Sequence, residues 1–371
     1  MKNRCFSSLV ERCFGLLLIL ALSVTVGLAE QRYVFVSSAD GTTVYQVDSD
    51  SGKLDPIQTA EPRGLMALSS DQSHAYVAGA NSITSYEVQA DGKLQEIGVS
   101  EIAGGGSYID LDETDRFLAA SHYGNGTVTI WPVDSEGVAQ GTPTAHLTLE
   151  KKSHSSVFAP GNEFLLVPAT EPNKVFQLKF DSATGKAKPN DPPSGAAPTR
   201  EGDAQQPRHI IFHPNGRIAY TTLERENPGV GVWKWDAAAG SLKVIQNIVT
   251  YPEGFDGVIT TADLHLTPDA KFLYVSNRDI TDRKAVVGNS SIVGFRVDPE
   301  TGRLSMIGHT PCEQVPRAFA VDQAGEFLYV AGQTAAKLGV YQIDPDSGAL
   351  SQIEQLDTGA GPNWIRCVTL P

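Results

Sequence analysis

One phrase recurs along the chain and limits its fold more than any other feature. A strand rich in aromatic and β-branched residues runs into an acidic turn, then glycine, then leucine or another small apolar residue. Its first occurrence is YQVDSDSGKL, Tyr45 to Leu54, and it returns around Gly92, Gly137, Gly185, Gly240, Gly302 and Gly348. Asp and Gly supply the turn dihedrals between two strands, so each copy reads as a β-hairpin. A second turn precedes the hairpins, best seen in PNGRIAY (214–220), PDAKFLY (268–274) and DQAGEFLY (322–329). Two turns per copy give about four strands in roughly 40–50 residues, the size of a propeller blade. The chain is thus read as all-β, a seven-bladed β-propeller.

The ends of the repeat array predict how the ring closes. The first copy begins at RYVFVS (32–37) with no inner strand ahead of it, and the last residues, GPNWIRCVTL (361–370), look like an inner strand with nothing after them. The C-terminal strand is therefore expected to complete the first blade and remove the open edge. Trp235-Asp236 is the only Trp-Asp pair and no Gly-His partner recurs with it, so a WD40 assignment has little support. The stretch 186–206, rich in Pro, Gly and Ala, reads as an exposed loop, and 279–290 as an insertion in the sixth blade.

Residues 1–29 have a different character. Lys2, Arg4 and Arg12 flank an apolar run from Phe14 to Leu28 that ends in small residues before Glu30. This is the layout of a secretory signal peptide, and about 15 apolar residues fall short of the roughly 20 needed to span a bilayer. The expected product is residues 30–371, exported to the periplasm or secreted, with no stable membrane insertion. Cys5 and Cys13 leave with the leader, and the pairing of Cys312 with Cys367 is left open. A net charge of −14 disfavours nucleic acid and anionic membrane as partners.

Strand polarity locates a site. Let A to D denote the strands of a blade from the axis outward. A crosses from one rim to the other and B returns, so starts of A and ends of B meet at one mouth of the channel. His154 starts A of blade four, Arg208 starts A of blade five, and Arg317 starts A of blade seven. Glu224 ends B of blade five and Arg278 ends B of blade six, while Asp263 and His265 are placed early in A of blade six. Arginines beside a Glu and a His suit a small anionic molecule and proton transfer. Pro-Arg also recurs at Arg63, Arg208 and Arg317, which fits a device of the repeat equally well. His209 and His213 do not read as a metal pair, because four residues of strand span about 13 Å. The acidic turns at Asp48–Asp50 and Asp344–Asp346 follow the repeat and read as hairpin chemistry. The absence of a Gly-x-Ser-x-Gly elbow disfavours a serine hydrolase.

These same stretches carry a family likeness. QPRHIIFHPNG (206–216) followed by Glu224, ADLHLTPD (262–269) followed by Arg278, VPRAFAVD (315–322) and GPNW (361–364) resemble the seven-bladed lactonase family. That family holds propeller-type 6-phosphogluconolactonases and carboxy-cis,cis-muconate cyclases. The resemblance covers essentially all of residues 32–371. It implies an active-site histidine at His154, arginines at Arg208 and Arg278, and a glutamate at Glu224. Departures include Leu223-Glu-Arg225 in place of Asn-Glu-Leu and His122-Tyr123 in place of Asn-Tyr.

The implied activity is hydrolysis of an anionic sugar-acid lactone, with no metal and no organic cofactor. His154 and Glu224 are the acid/base pair, with the base unassigned. Arg208, Arg278, Arg317 and His265 bind the substrate. Glu224 is expected to be ionised and to favour protonated His154. A lactone-forming cyclase and a non-catalytic exported propeller that binds a sugar acid or a protein are the rival readings.

Overall fold

Each copy of the repeat forms a four-stranded antiparallel sheet, and seven such sheets form a ring. The computed structural model describes residues 30–285 and 287–371; the leader read at 1–29 lies outside the described residues. Blade five shows the pattern, with A at Pro207–Phe212, B at Ile218–Leu223, C at Gly229–Asp236 and D at Ser241–Val249. B strands are largely buried on both faces, and Phe164–Ala169 of blade four is buried along its whole length. D strands at the perimeter are mostly half-buried or exposed, as in Leu54–Ala60 of blade one, where only Leu54 is buried.

The core is a set of separate wedges, one at each of the seven interfaces between neighbouring blades. The repeat glycines latch these interfaces. All seven lie between φ +62° and +79°, where a side chain is strained. Six face the first residue of strand B in the preceding blade and Gly92 faces Tyr33, the third residue of Gln31–Ser38; a Cβ on Gly240 would stand 2.0 Å from Phe164 Cε1. Blade one does the same to blade seven, with Gly52 against Phe327. The leucine of the phrase joins in: the Leu94 and Leu304 amides donate to Gln58 and Gln246 of the preceding blades, at 2.7 Å in both cases. The Leu54 amide donates to Glu354 of blade seven at 3.0 Å.

The ring closes as the orphan strands predict. Trp364–Leu370 pairs antiparallel with Gln31–Ser38, with Ser37 opposite Trp364 and Gln31 opposite Leu370. The stretch 186–206 differs from expectation. Lys186–Ala196 is strand D of blade four, and a small hairpin, Thr199–Arg200 with Asp203–Ala204, leads into blade five. Prolines are tolerated there because an outer strand needs ladder bonds on one side only. Cys312 and Cys367 are free thiols. Cys312 packs at the interface of blades six and seven, and Cys367 at that of blades seven and one.

Candidate active site

In blades five, six and seven the pairing of A with B is broken by a β-bulge. The register shifts between Pro207 and Ile210, between Thr261 and Leu264, and between Pro316 and Ala318. The A–B pairs of the other four blades run without a shift. A bulge inserts one residue and re-aims its neighbours. Here the displaced residues are Arg208 with His209, Ala262 with Asp263, and Arg317. The recurrent Pro-Arg is thus not one device: Arg208 is buried and Arg63, in a blade without the bulge, is exposed.

His154 sits just ahead of the short A strand of blade four. Its amide donates to Pro168 O at 2.8 Å, and its carbonyl accepts from Ser107 Oγ at 2.9 Å and Ser121 Oγ at 2.8 Å. The ring stands edge-to-face with Tyr123 at 5.4 Å and with His209 at 5.2 Å. Glu224 is fixed by its amide on Gln206 O, 2.8 Å, and by its carbonyl, which accepts from Thr261 N at 3.2 Å. Arg278 NH2 donates to Glu224 Oε1 at 2.5 Å and to Thr261 O at 3.0 Å. Arg208 Nε stands 3.7 Å from the same carboxylate oxygen. Strand polarity therefore brings Arg208, Glu224 and Arg278 into direct contact. Arg317 stands near enough to Arg208 to disfavour its charge, and His154 near enough to feel both arginines.

His265 is placed differently from the expectation. It lies late in strand A of blade six, Ile259–Leu266, because the bulge adds length ahead of it. Its ring stacks edge-on against Phe319 at 4.8 Å, and its Nε2 is 3.4 Å from Asp263 Oδ2. With Tyr108, His209, Asp263, Trp364 and Arg366 it lines a cavity of about 240 Å³. Its polar contact toward the cluster is with Asp263.

The four family-matched residues are only 1–8% exposed, so their electrostatics are those of an interior. Burial pushes the Glu224 carboxyl up, but Arg208 and Arg278 more than offset this and hold it below its ordinary value. Glu224 is ionised, as expected. The companion expectation, that it keeps His154 protonated, is overturned. Burial foremost, then Arg208, His209, Arg317 and Arg278, push the imidazole well below its usual range. His154 is neutral because desolvation and the nearby arginines outweigh one carboxylate already held by two guanidiniums. Arg208 is itself disfavoured as a cation by burial, then by Arg278 and Arg317. The pocket holds more positive charge than Glu224 balances.

Three buried polar atoms here have no hydrogen-bond partner among the described residues: His154 Nδ1, Arg208 Nε and Arg278 Nε. Buried polar groups are ordinarily hydrogen-bonded, so three open ones among contacting residues call for a partner. Sequence reasoning gives no site role to Tyr123 or His209, whose rings both pack edge-on with His154.

The sequence profile described as "Lactonase, 7-bladed beta-propeller" matches residues 25–367. The chain belongs to the seven-bladed β-propeller lactonase family. Within it, the chain is 33% identical over 344 residues to a 6-phosphogluconolactonase of Yersinia pestis (strain Pestoides F), covering 90% of this chain and 97% of the relative. It is 31% identical over 341 residues to one from Serratia proteamaculans (strain 568), covering 90% and 98%. Among solved structures, the periplasmic gluconolactonase of Pseudomonas aeruginosa superposes with a TM-score of 0.82 at 26% identity, over 92% of this chain and all of that one. The lactonase fold and the buried contact of Arg208, Glu224 and Arg278 thus meet in one chain.

Proposed function

We propose that this lactonase-family chain hydrolyses the lactone of a sugar acid that carries negative charge, working outside the cytoplasm. The observation that carries the reading is the trio of open polar atoms on His154, Arg208 and Arg278 around an excess of positive charge. The relatives named 6-phosphogluconolactonase and the periplasmic gluconolactonase supply the substrate class. The leader-like segment 1–29 supplies the compartment.

The chemistry follows from the charges. Neutral His154 takes a proton from a water molecule as its oxygen attacks the lactone carbonyl carbon. The carbonyl oxygen gathers negative charge, which the guanidinium groups of Arg208 and Arg278 stabilise without having to reorganise. The ring C–O bond then breaks, and the imidazolium of His154 returns the proton to the departing alkoxide. Glu224, clamped by Arg278 and Arg208, is a weak base and serves to aim both guanidiniums. Arg317 binds the substrate's own anionic group.

The test is proton release in a lightly buffered assay with 6-phosphoglucono- and glucono-δ-lactone, using residues 30–371 and a His154→Ala control. Ring opening faster than the spontaneous rate, abolished in the control, is expected. A rate equal to the spontaneous one with both lactones overturns the proposal.

A further inference from the structure

Arg208 is not held by Glu224 alone. Its NH1 donates to Ala262 O at 2.6 Å and stands 3.0 Å from His209 Nε2. A guanidinium only donates, so His209 Nε2 must accept, and the imidazole proton sits on Nδ1. That atom is 2.9 Å from Asp263 Oδ1, which also accepts the Leu264 amide at 3.0 Å. The chain of bonds thus runs from Asp263 in blade six, through His209, to Arg208 in blade five. All three residues lie at the bulges, and all three are buried.

We propose that Asp263 and His209 are a positioning pair for Arg208: they tie back its NH1 and leave its Nε side turned to Glu224 and the substrate. The inference rests on the reading of Arg208 as a substrate-binding group. Its partner atoms divide accordingly. NH1 is occupied by Ala262 and His209, while Nε has no hydrogen-bond partner among the described residues and stands 3.7 Å from Glu224 Oε1.

The surroundings suit a neutral imidazole. His209 faces the rings of Tyr108 at 5.0 Å, His154 at 5.2 Å and Trp364 at 6.5 Å, with Arg208 and Arg317 as the nearby cations and Asp263 as its acid. Burial first, and Arg208 next, push the ring down to about 4, while Asp263 pulls the other way. His209 therefore keeps a free lone pair for Arg208 at neutral pH. A carboxylate on the far nitrogen fixes which nitrogen that is.

A plain staple between blades five and six would cost stability whatever stands at position 208. A positioning pair acts only through Arg208, so a double-mutant cycle separates the two. Steady-state lactone hydrolysis is compared for His209→Phe, His209→Gln, Asp263→Asn and Arg208→Ala, and for the first and third again in the Arg208→Ala background. His209→Phe is expected to lower kcat/KM about 10- to 100-fold, as for a small misplacement of a binding group. His209→Gln, which keeps an acceptor near Nε2, restores most of the loss. Asp263→Asn can donate to Nδ1 and drive the proton to Nε2, so it lowers kcat/KM about 10-fold or more. In the Arg208→Ala background each change adds less than about 2-fold. Should His209→Phe not fold, Asp263→Asn and its double mutant complete the cycle. Wild-type kinetics in His209→Phe or Asp263→Asn, or an undiminished loss without Arg208, overturns the pair and leaves the site reading standing. Wild-type kinetics in Arg208→Ala overturns both.

Discussion

Replacing His154 with Gln separates catalysis from stability. The ring makes no hydrogen bond through Nδ1, and its packing consists of edge-to-face contacts with Tyr123 and His209. Such contacts are worth about 0.5–1.5 kcal/mol each, so a side chain of similar length should cost about 1–2 kcal/mol of folding stability. A proton-transfer group is worth about 10²–10⁴ in rate, or roughly 3–5 kcal/mol of barrier. The expected signature is a melting temperature lowered by a few degrees and a kcat lowered at least a hundredfold. A second signature is in the pH profile. The base must be neutral to act, and burial with its arginine neighbours places its titration well below 6.5. Wild-type activity should hold level as the pH falls past 6.5 and drop only at more acid pH; the variant should lack that limb. Stopped-flow proton release from pH 4 to 8, with melts in parallel, measures both. A variant within tenfold of wild type, or a wild-type limb centred near 6.5, refutes the reasoning.

Glu224→Gln keeps an acceptor for Arg278 but leaves two buried guanidiniums without their counter-charge. Chemical denaturation should show a loss of about 3 kcal/mol at neutral pH. Because the native pKa of Glu224 is depressed, its contribution is present above the unfolded value and lost as the pH falls through the folded one, so the difference between wild type and variant should shrink in acid. Gly240→Ala adds a Cβ against Phe164 at φ +62° and should cost about 2–4 kcal/mol in the same assay, with kcat unchanged while the protein stays folded. Burying neutral His209 stabilises the fold fully above about pH 6.5 and progressively less toward its depressed value of about 4, where the unfolded chain binds the extra proton. His209→Gln should flatten that part of the stability–pH curve. N-terminal sequencing of the protein from its native host should find residues 1–29 gone, and a product still starting at Met1 contradicts the leader.

The repeat phrase was enough to count the blades, because its glycine meets a side chain of the preceding blade in every copy. Strand polarity was enough to gather Arg208, Glu224 and Arg278. It misplaced His265, since a bulge adds one residue without leaving any mark in composition or periodicity. The distance argument against His209 and His213 as a metal pair is sound, but it says nothing of His209 alone. The partner of His209 lies in another blade, on Asp263. The charge state of His154 was equally out of reach, because it depends on burial summed over several blades. The prolines near 192 suggested a loop because edge and interior strands differ in tolerance, and only the assembled sheet shows which is which.

The closure of blade one also sets an order in time. Blades two to seven each draw four strands from a contiguous stretch, and each is complete once that stretch has been made. Blade one must wait for Trp364–Leu370, the last strand of the chain. Until that strand docks, Gln31–Ser38 carries an unpaired inner edge beside a run of apolar residues, a template open to any other chain in the same state. The entropy of closing so long a loop grows only logarithmically, so the finished ring loses little stability by it, yet the encounter is slow. Folding yield is therefore decided by a race between one docking strand and aggregation. Refolding a chain cut at residue 363, with residues 364–371 supplied as a peptide, makes that race visible: soluble protein should rise with peptide concentration.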